Sequence, residues 1–177
     1  MGINKDMTFT PRFYKDDKLL FQSEFRQVNS NSNHLSDFSL YKARNFNSKS
    51  HFFYKYNKLL NFDYFENSSF DLNVEKTSSD TYLKGSKLKS PLINEYDNLE
   101  NSLNLSLNTD SLSINTDLIV YEDLTKNNNS DKFEYILPRV NLTKKIENKT
   151  NLNGNFSFVS NNLIRNYQTN IFEKTNI

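Results

Sequence analysis

Apolar and polar residues alternate along most of this chain. From Asp6 to Tyr14, an apolar residue occupies every second position: Met7, Phe9, Pro11 and Phe13. A period of two is that of a β-strand, in which successive side chains point to opposite faces of the sheet. The pattern therefore predicts a strand with one apolar face and one polar face.

The same alternation recurs along the chain and predicts eight or nine strands. Turns rich in Asn, Asp and Ser separate them, and these residues favour turns because their side chains hydrogen-bond nearby backbone. No segment keeps the spacing of an amphipathic helix for more than about two turns. We expect an all-β fold, an antiparallel up-and-down meander. Its predicted strands cover residues 6–14, 19–26, 35–44, 50–60, 70–75, 103–107, 112–120, 133–142 (interrupted by Pro138) and 156–172.

This strand assignment also predicts which residues share a face of the sheet. One face is expected to carry the apolar set Phe9, Phe21, Phe25, Leu103, Leu105 and Leu107. The opposite face is expected to carry Thr8, Thr10, Glu24, Arg26, Asn104 and Ser106. A shift of one residue in the pairing register would mix the two sets.

Composition restricts the classes of function. The 177 residues include 22 Lys and Arg and 21 Asp and Glu, a formal net charge of +1, so charge does not favour nucleic acid or an anionic membrane surface as a partner. Because the chain has no Cys, disulfide frameworks, thiolate metal sites and a Cys nucleophile are excluded. No apolar run approaches the roughly 18–20 residues of a membrane-spanning helix, whereas a membrane β-barrel needs alternating strands of only about 10 residues.

Candidate catalytic and metal-binding residues are few. His34 and His51 lie far apart in sequence, with no Asp or Glu at the spacing of a metal site, so both are expected to be incidental polar residues. Glu24 and Arg26 lie two residues apart on one strand face, which is typical of ion pairing within a sheet. We therefore predict no catalytic residue, no metal site and no cofactor, and interpret the chain as a protein that is not an enzyme.

Asp6, Thr8, Thr10 and Pro11 form an Asp-x-Thr-x-Thr-Pro strand, and Glu24, Phe25 and Arg26 follow in the next strand. Together with later segments, they resemble the barrel domain of the LptD family, the lipopolysaccharide-assembly proteins of Gram-negative outer membranes. That family has an Asp-x-Thr-x-Thr-Pro strand, a following Glu-Phe/Tyr-Arg strand and a later Ser-Asp-Asp/Pro-x-Tyr segment. The last of these is matched with Ser79 where the family usually has Asp. In chain order, the matching residues are Asp6, Thr8, Thr10, Pro11, Glu24, Phe25, Arg26, Ser78, Asp80 and Tyr82, with Lys49 to Phe52 resembling an intermediate strand and Pro138 preceding a later apolar alternation.

The resemblance implies that residues 1–177 are the N-terminal part of a larger outer-membrane barrel domain. Family members close a barrel of roughly 26 strands; a signal peptide and a periplasmic jelly-roll domain precede it, and neither is expected in this chain. The implied function is non-catalytic assembly of lipopolysaccharide into the outer leaflet. Its implied partners are lipopolysaccharide, outer-membrane lipids, a lipoprotein plug like LptE and the periplasmic lipopolysaccharide-transport bridge.

In the family, lipopolysaccharide leaves through a lateral seam between the first and last strands. Pro11 lies in the strand that resembles this seam strand, and proline weakens strand pairing because it lacks a backbone N–H. A simple edge position in the sheet would accommodate Pro11 equally well.

Two other classes of protein fit the alternation. A soluble up-and-down β-barrel that binds a ligand would turn its apolar face inward, and its loops would be similar in length at both ends. A structural surface protein or adhesin is the third class, although the sequence contains no internal repeat. Alternating short and long connections favour the membrane barrel over the soluble one.

Overall fold

The fold is one antiparallel sheet with a short helix. The computed structural model describes residues 4–15, 17–44, 46–126, 131–147, 154, 156–168 and 173–176. The strands are β1 (Lys5–Tyr14), β2 (Lys18–Val28), β3 (Ser32–Ala43), β4 (Phe46–Phe62), β5 (Phe65–Thr77), β6 (Asn98–Asn108), β7 (Leu112–Asp123), β8 (Phe133–Ile146), β9 (Phe156–Gln168) and β10 (Glu173–Asn176). The helix α1 (Tyr82–Ser86) lies between β5 and β6.

Each strand pairs with its neighbours in sequence, so the strand order is that of the chain from β1 to β10. This confirms the prediction of an all-β antiparallel meander, with nine long strands and a tenth of four residues. Within the described residues the sheet does not close into a barrel, because β1 pairs with β2 alone and β10 with β9 alone.

The pairing registers separate the side chains into two faces, as predicted. Thr10, Gln22, Ser39 and His51 lie opposite one another across β1 to β4, on what we call the polar face. The opposite side, here called the apolar face, has at least one large apolar residue on each of the first eight strands. Examples in strand order are Phe9, Phe21, Phe38, Phe52, Leu72, Leu103, Leu118 and Val140.

Short polar turns join the strands at one end of the sheet. Asn29 and Ser32 close the turn between β2 and β3, through a backbone hydrogen bond of 2.7 Å and a side-chain hydrogen bond of 2.9 Å. At the turn between β6 and β7, the Thr109 hydroxyl accepts hydrogen bonds from the backbone N–H groups of Ser111 and Leu112. These local hydrogen bonds give the backbone an alternative to strand pairing. For this reason the segments rich in Asn and Ser form turns.

The long connections between described strands include residues 78–97 and 124–132, which lie at the opposite end of the sheet. Residues 78–97 fold back over the polar face, and we call them the anchored segment. The main hydrophobic core lies between this segment and the sheet. Its buried residues are Leu20, Phe53, Tyr82, Leu83, Leu88, Leu92, Leu99 and Leu124.

This arrangement differs from the simple expectation that a two-faced sheet buries its apolar face. The sequence assigned neither strand nor helix to the anchored segment, which lies between the predicted strands 70–75 and 103–107. Tyr82, Leu83, Leu88 and Leu92 have neither strand nor helix periodicity, so their burial depends on the tertiary contact with Leu20 and Phe53.

Pro138 interrupts β8, as the sequence predicts. The pairing of β8 with β9 shifts between Ile136 and Arg139, and its pairing with β7 shifts between Asp117 and Ile119 on the partner strand. A proline inside a sheet removes one donor from the ladder and is accommodated at such irregularities.

Two adjacent phenylalanines on β4 provide a test of where the core lies. Phe53 is 1% exposed within the core, whereas Phe52 is 45% exposed on the apolar face. We expect Phe53→Ala to lower the free energy of unfolding by about 3–5 kcal/mol, because it leaves a cavity. Phe52→Ala should lower it by about 1 kcal/mol or less. Urea unfolding of the two variants in detergent micelles measures the difference, and equal effects would contradict this core.

Candidate functional site

Five polar residues form a buried cluster where the anchored segment meets the sheet. The registers place Gln22, Ser39 and His51 in one row across β2, β3 and β4. Asp37 lies two residues before Ser39 on the same face, and Tyr82 reaches the row from α1. All five are at most 5% exposed, and we call them the buried polar cluster.

Hydrogen bonds connect the members of this cluster. Gln22 donates through Nε2 to both carboxylate oxygens of Asp37, at 3.2 and 3.0 Å, and to the backbone oxygen of Lys89 in the anchored segment at 3.0 Å. Ser39 Oγ lies 2.5 Å from His51 Nδ1 and 2.7 Å from the Tyr82 hydroxyl. The cluster therefore joins three strands to the anchored segment.

Ser39, His51 and Asp37 are the residue types of a hydrolase catalytic triad. Their burial and hydrogen bonding, however, do not suit catalysis. Ser39 is 0% exposed, and its hydroxyl is engaged by both His51 and Tyr82, so a substrate carbonyl could approach it only if α1 moved away. His51 Nε2 lies 3.5 Å from Asp37 Oδ1, too far for a good hydrogen bond. The arrangement is suited to holding the segment in place.

Tyr82 keeps its proton in this position. Burial raises the pKa of Tyr82 above its ordinary value, although side-chain hydrogen bonds with Ser39 and Ser86 act in the opposite direction. A neutral phenol can donate one hydrogen bond and accept another, which is what a contact with a serine hydroxyl requires.

Three motif residues fix the anchored segment: Ser78 extends the β4–β5 pairing by one residue, Asp80 binds Lys132 just before β8, and Tyr82 reaches β3. The Ser78 backbone N–H donates to the Ser50 oxygen at 2.9 Å, and Ser78 Oγ accepts from the Ser50 N–H at 2.8 Å. Asp80 accepts two hydrogen bonds from Lys132 Nζ, at 3.0 and 2.9 Å. Tyr82 contacts Ser39, as described above. The residues Ser78, Asp80 and Tyr82, picked out by the family resemblance, thus act together.

Lys132 is the cation of this attachment. Its side chain is 6% exposed and lies 3.4 Å from Glu122 in addition to Asp80. Burial acts to lower the pKa of Lys132, but the hydrogen bonds and negative charges of Asp80 and Glu122 outweigh it, and the pKa is raised. The ammonium therefore stays charged beside its two carboxylates.

The other predicted motif residues lie apart from the anchored segment. Asp6 stands opposite Arg26 and Thr8 opposite Glu24 on the polar face, and Arg26 donates a hydrogen bond to Glu24 along β2. Thr10 is opposite Gln22, at the border of the buried polar cluster. Two motif residues lie on the apolar face, with Pro11 of the edge strand β1 opposite Phe21 and Phe25 opposite Met7. Pro138 lies in β8.

Two cavities flank the anchored segment on the polar face. One, of about 500 Å³, lies under α1 and is lined by side chains of β1 to β4, including Lys18 and Lys49. The other, of about 770 Å³, lies beside residues 91–95 and is lined by Lys55, Asp71 and Glu75 among others. The anchored segment therefore covers part of the polar face and leaves open space on both sides of itself.

Sequence reasoning missed the buried polar cluster and Lys132. A signal for part of the cluster was present, since a hairpin centred near residue 45 places Ser39 opposite His51. The contacts with Tyr82 and Lys132 carry no such signal, because they span 43 and 52 residues.

Among the residues that the structure describes, no helix is long and apolar enough to cross a membrane. The same residues contain no group of three or more His, Asp or Glu side chains placed to hold a metal ion.

No protein-family model matches the chain, and no curated protein matches it significantly. The resemblance to the LptD family therefore depends on its short motifs alone.

The Lys132 attachment leads to a prediction about pH. A lysine whose pKa is raised on folding stabilises the folded state fully below its ordinary value of 10.5, and this stabilisation is lost as the pH rises through the raised value. We expect Lys132→Met to be less stable than the wild type at pH 7 by about 1–2 kcal/mol, since Asp80 is partly exposed to water. The difference should shrink above pH 10.5.

Urea unfolding at pH 7 and at pH 12 measures this difference, and trypsin cleavage at Lys84 and Lys87 reports release of the anchored segment. Lys145→Met, which changes an exposed lysine on β8, is the control and should leave both measurements unchanged. A Lys132→Met chain as stable and as protease-resistant as the wild type at pH 7 would contradict the attachment.

Proposed function

We propose that this chain forms part of the wall of an outer-membrane β-barrel that assembles lipopolysaccharide into the outer leaflet, without catalysing a reaction. The observation that carries the proposal is the sidedness of the sheet: an apolar face along the first eight strands, opposite a polar face. In a membrane barrel the apolar face meets lipid and the polar face lines the lumen.

Exposure of the apolar face supports a lipid environment. Large apolar side chains that are more than a third exposed recur on this face across the sheet: Met7, Phe9, Phe13, Leu19, Phe38, Leu40, Phe52, Leu118 and Phe158. A soluble monomer rarely exposes so extended an apolar surface to water, because the hydrophobic effect favours covering it. A bilayer would cover it.

Strand length supports the same environment. The nine long strands have 10 to 17 residues, whereas strands of soluble domains usually have about 5–6. A tilted strand needs about 9–11 residues to cross the hydrocarbon of a membrane. Each of the nine is long enough.

The position of the anchored segment argues against a soluble ligand-binding barrel. In such a barrel the apolar face is the inner one, and a segment that folds into the interior would pack against it. Here residues 78–97 pack against the polar face, under which they bury Phe53 and the buried polar cluster.

The choice of lipopolysaccharide as the transported lipid is supported by the family motifs and by the position of Pro11. Pro11 lies in the edge strand β1, which has no partner on its outer side among the described residues. That position is consistent with the lateral seam of the family. Outer-membrane lipids, a lipoprotein plug and the periplasmic lipopolysaccharide-transport bridge are the remaining partners that we propose; nucleic acid is not among them.

Single tryptophans test the membrane orientation, because the chain contains no Trp of its own. We expect Trp at position 105 (Leu105→Trp, apolar face) to be quenched strongly by brominated phospholipids after reconstitution into vesicles. Trp at the adjacent position 104 (Asn104→Trp, polar face) should be quenched weakly, because it faces away from the acyl chains. Equal quenching at the two positions would overturn the proposed barrel wall.

Photo-crosslinking tests the transported lipid separately. A benzophenone amino acid at Thr8, on the polar face, should form adducts with lipopolysaccharide added to phospholipid vesicles that contain the chain. The same group at the neighbouring Phe9, on the apolar face, should react mainly with phospholipid. If position 8 gives no adduct while the tryptophan test succeeds, the membrane wall stands and lipopolysaccharide is excluded as its cargo.

A further inference from the structure

Strands β5 and β6 pair with each other along only part of their length. Their backbone pairing ends at Asn73 and Ser102, four residues before the end of β5 and four residues after the start of β6. Beyond that point β5 stays paired with β4, and β6 stays paired with β7. Residues 74–77 and 98–101 thus pair, within the described residues, with their outer neighbours only. We call them the two arms of a fork in the sheet.

Side chains replace backbone hydrogen bonds inside the fork. Glu75 Oε2 accepts from the backbone N–H of Glu100 at 2.8 Å, and the backbone N–H of Glu75 donates to Asn101 Oδ1 at 2.9 Å. Asn73 Nδ2 donates to Glu75 Oε1 at 3.2 Å and to the backbone oxygen of Glu100 at 2.8 Å. Rotation about side-chain bonds can break such contacts, whereas a backbone ladder separates only when a whole strand moves. The arms are therefore the more easily parted section of the β5–β6 boundary.

Leu99 shows what fills the space between the arms. It lies an even number of residues from Leu103 on β6, with no irregularity in the pairing with β7, so the alternation alone would place it on the apolar face. Leu99 is instead 1% exposed and belongs to the hydrophobic core that includes Leu88 and Leu92 of the anchored segment. Apolar packing with the anchored segment takes over where the strand pairing stops.

The anchored segment crosses the fork and is fastened on both sides of it. Its residues 78–97 are the connection between the two arms. On the β5 side, the Tyr82 hydroxyl lies 2.7 Å from Ser39 Oγ on β3. On the β6 side, Asp80 accepts hydrogen bonds at 3.0 and 2.9 Å from Lys132, just before β8. A segment attached in this way limits how far the arms can move apart.

Open space adjoins the fork on the polar face. The larger cavity, of about 770 Å³, is lined by Asn73 and Glu75 of β5, by Asn98 and Glu100 of β6, and by Leu92 of the anchored segment. Protein interiors are otherwise close-packed and resist displacement. Movement of the arms meets less resistance here than it would in a filled core.

We propose that the fork opens reversibly and that the anchored segment holds it closed. Breaking the contact between Asp80 and Lys132 removes the charged attachment on the β6 side, and the arms then separate as far as Asn73, where the backbone ladder begins. The opening joins the larger cavity to the apolar face. It lies inside the sheet, away from the edge strand β1 that carries Pro11. The inference depends on the contacts of β5, β6 and the anchored segment and does not require the proposed transport function.

Distances between pairs of nitroxide labels test the proposal. The chain contains no Cys, so the labels attach only to introduced cysteines. Lys76→Cys with Asn98→Cys places one label on each arm, at two exposed positions, and forms the arm pair. Ser69→Cys with Ser106→Cys forms the ladder pair, because these residues lie directly opposite each other where β5 and β6 are paired. Pulsed electron paramagnetic resonance of the full chain in detergent micelles measures the distance distribution of each pair.

We expect both pairs to give one narrow distribution when the anchored segment is intact. Lys132→Met should add a component to the arm pair that is longer by about 5 Å, one strand spacing, and should leave the ladder pair unchanged. Asp80→Asn weakens the same attachment from its other partner and serves if Lys132→Met does not fold. Lys145→Met, which changes an exposed lysine on β8, is the control and should leave both pairs unchanged.

The two label pairs distinguish opening of the fork from general loosening. An arm pair with the same distribution in the wild type, Lys132→Met and Asp80→Asn, whether narrow or broad, overturns the role of the anchored segment. Equal broadening of the arm pair and the ladder pair overturns the fork, because the whole β5–β6 boundary would then have loosened. These distances are independent of the tryptophan and cross-linking tests of the transport function.

Discussion

The pairing register between neighbouring strands is the constraint on which the other features depend. Side chains alternate along every strand, so a slip of one residue in any pair would move all the side chains of the strands beyond it to the other face. The register places Gln22, Ser39 and His51 in one row, and it aligns Leu72, Leu103 and Leu118 on the other side. Both faces and the buried polar cluster follow from it.

Burial of the polar face requires that its polar groups find partners, because an unpaired buried polar group is strongly destabilising. The anchored segment provides several of them. Its Lys89 oxygen accepts from Gln22 and its Tyr82 hydroxyl contacts Ser39, while Leu83 and Leu88 cover Leu20 and Phe53. The segment thus combines apolar burial with specific hydrogen bonds, which define a single position for it on the sheet.

The sequence predicted the strands and their faces well, because period two is a local property that needs no knowledge of tertiary contacts. It also predicted the interruption at Pro138, because the missing backbone N–H of proline is a local property too. It did not predict the anchored segment, because Leu88 and Leu92 have no regular spacing, and Leu20 and Phe53, the sheet residues that share their core, lie more than 30 positions away. His51 looked incidental, since its contact with Asp37 appears only after the hairpin register is known. The motif residues Ser78, Asp80 and Tyr82 were identified by resemblance, but their shared role required the three-dimensional contacts.

The attachment of the anchored segment at Ser50, on β4, and at Lys132, just before β8, has a geometrical consequence for the whole sheet. These points are four strands apart in a sheet whose strands otherwise touch only their neighbours. The hydrogen bond from Leu124 N–H to the Asp97 oxygen adds a second contact between the end of the segment and the connection that precedes β8. Residues 78–97 therefore act as a strap across the sheet: they join β4 to the residues before β8 by contacts that do not pass through the backbone pairing of β5, β6 and β7.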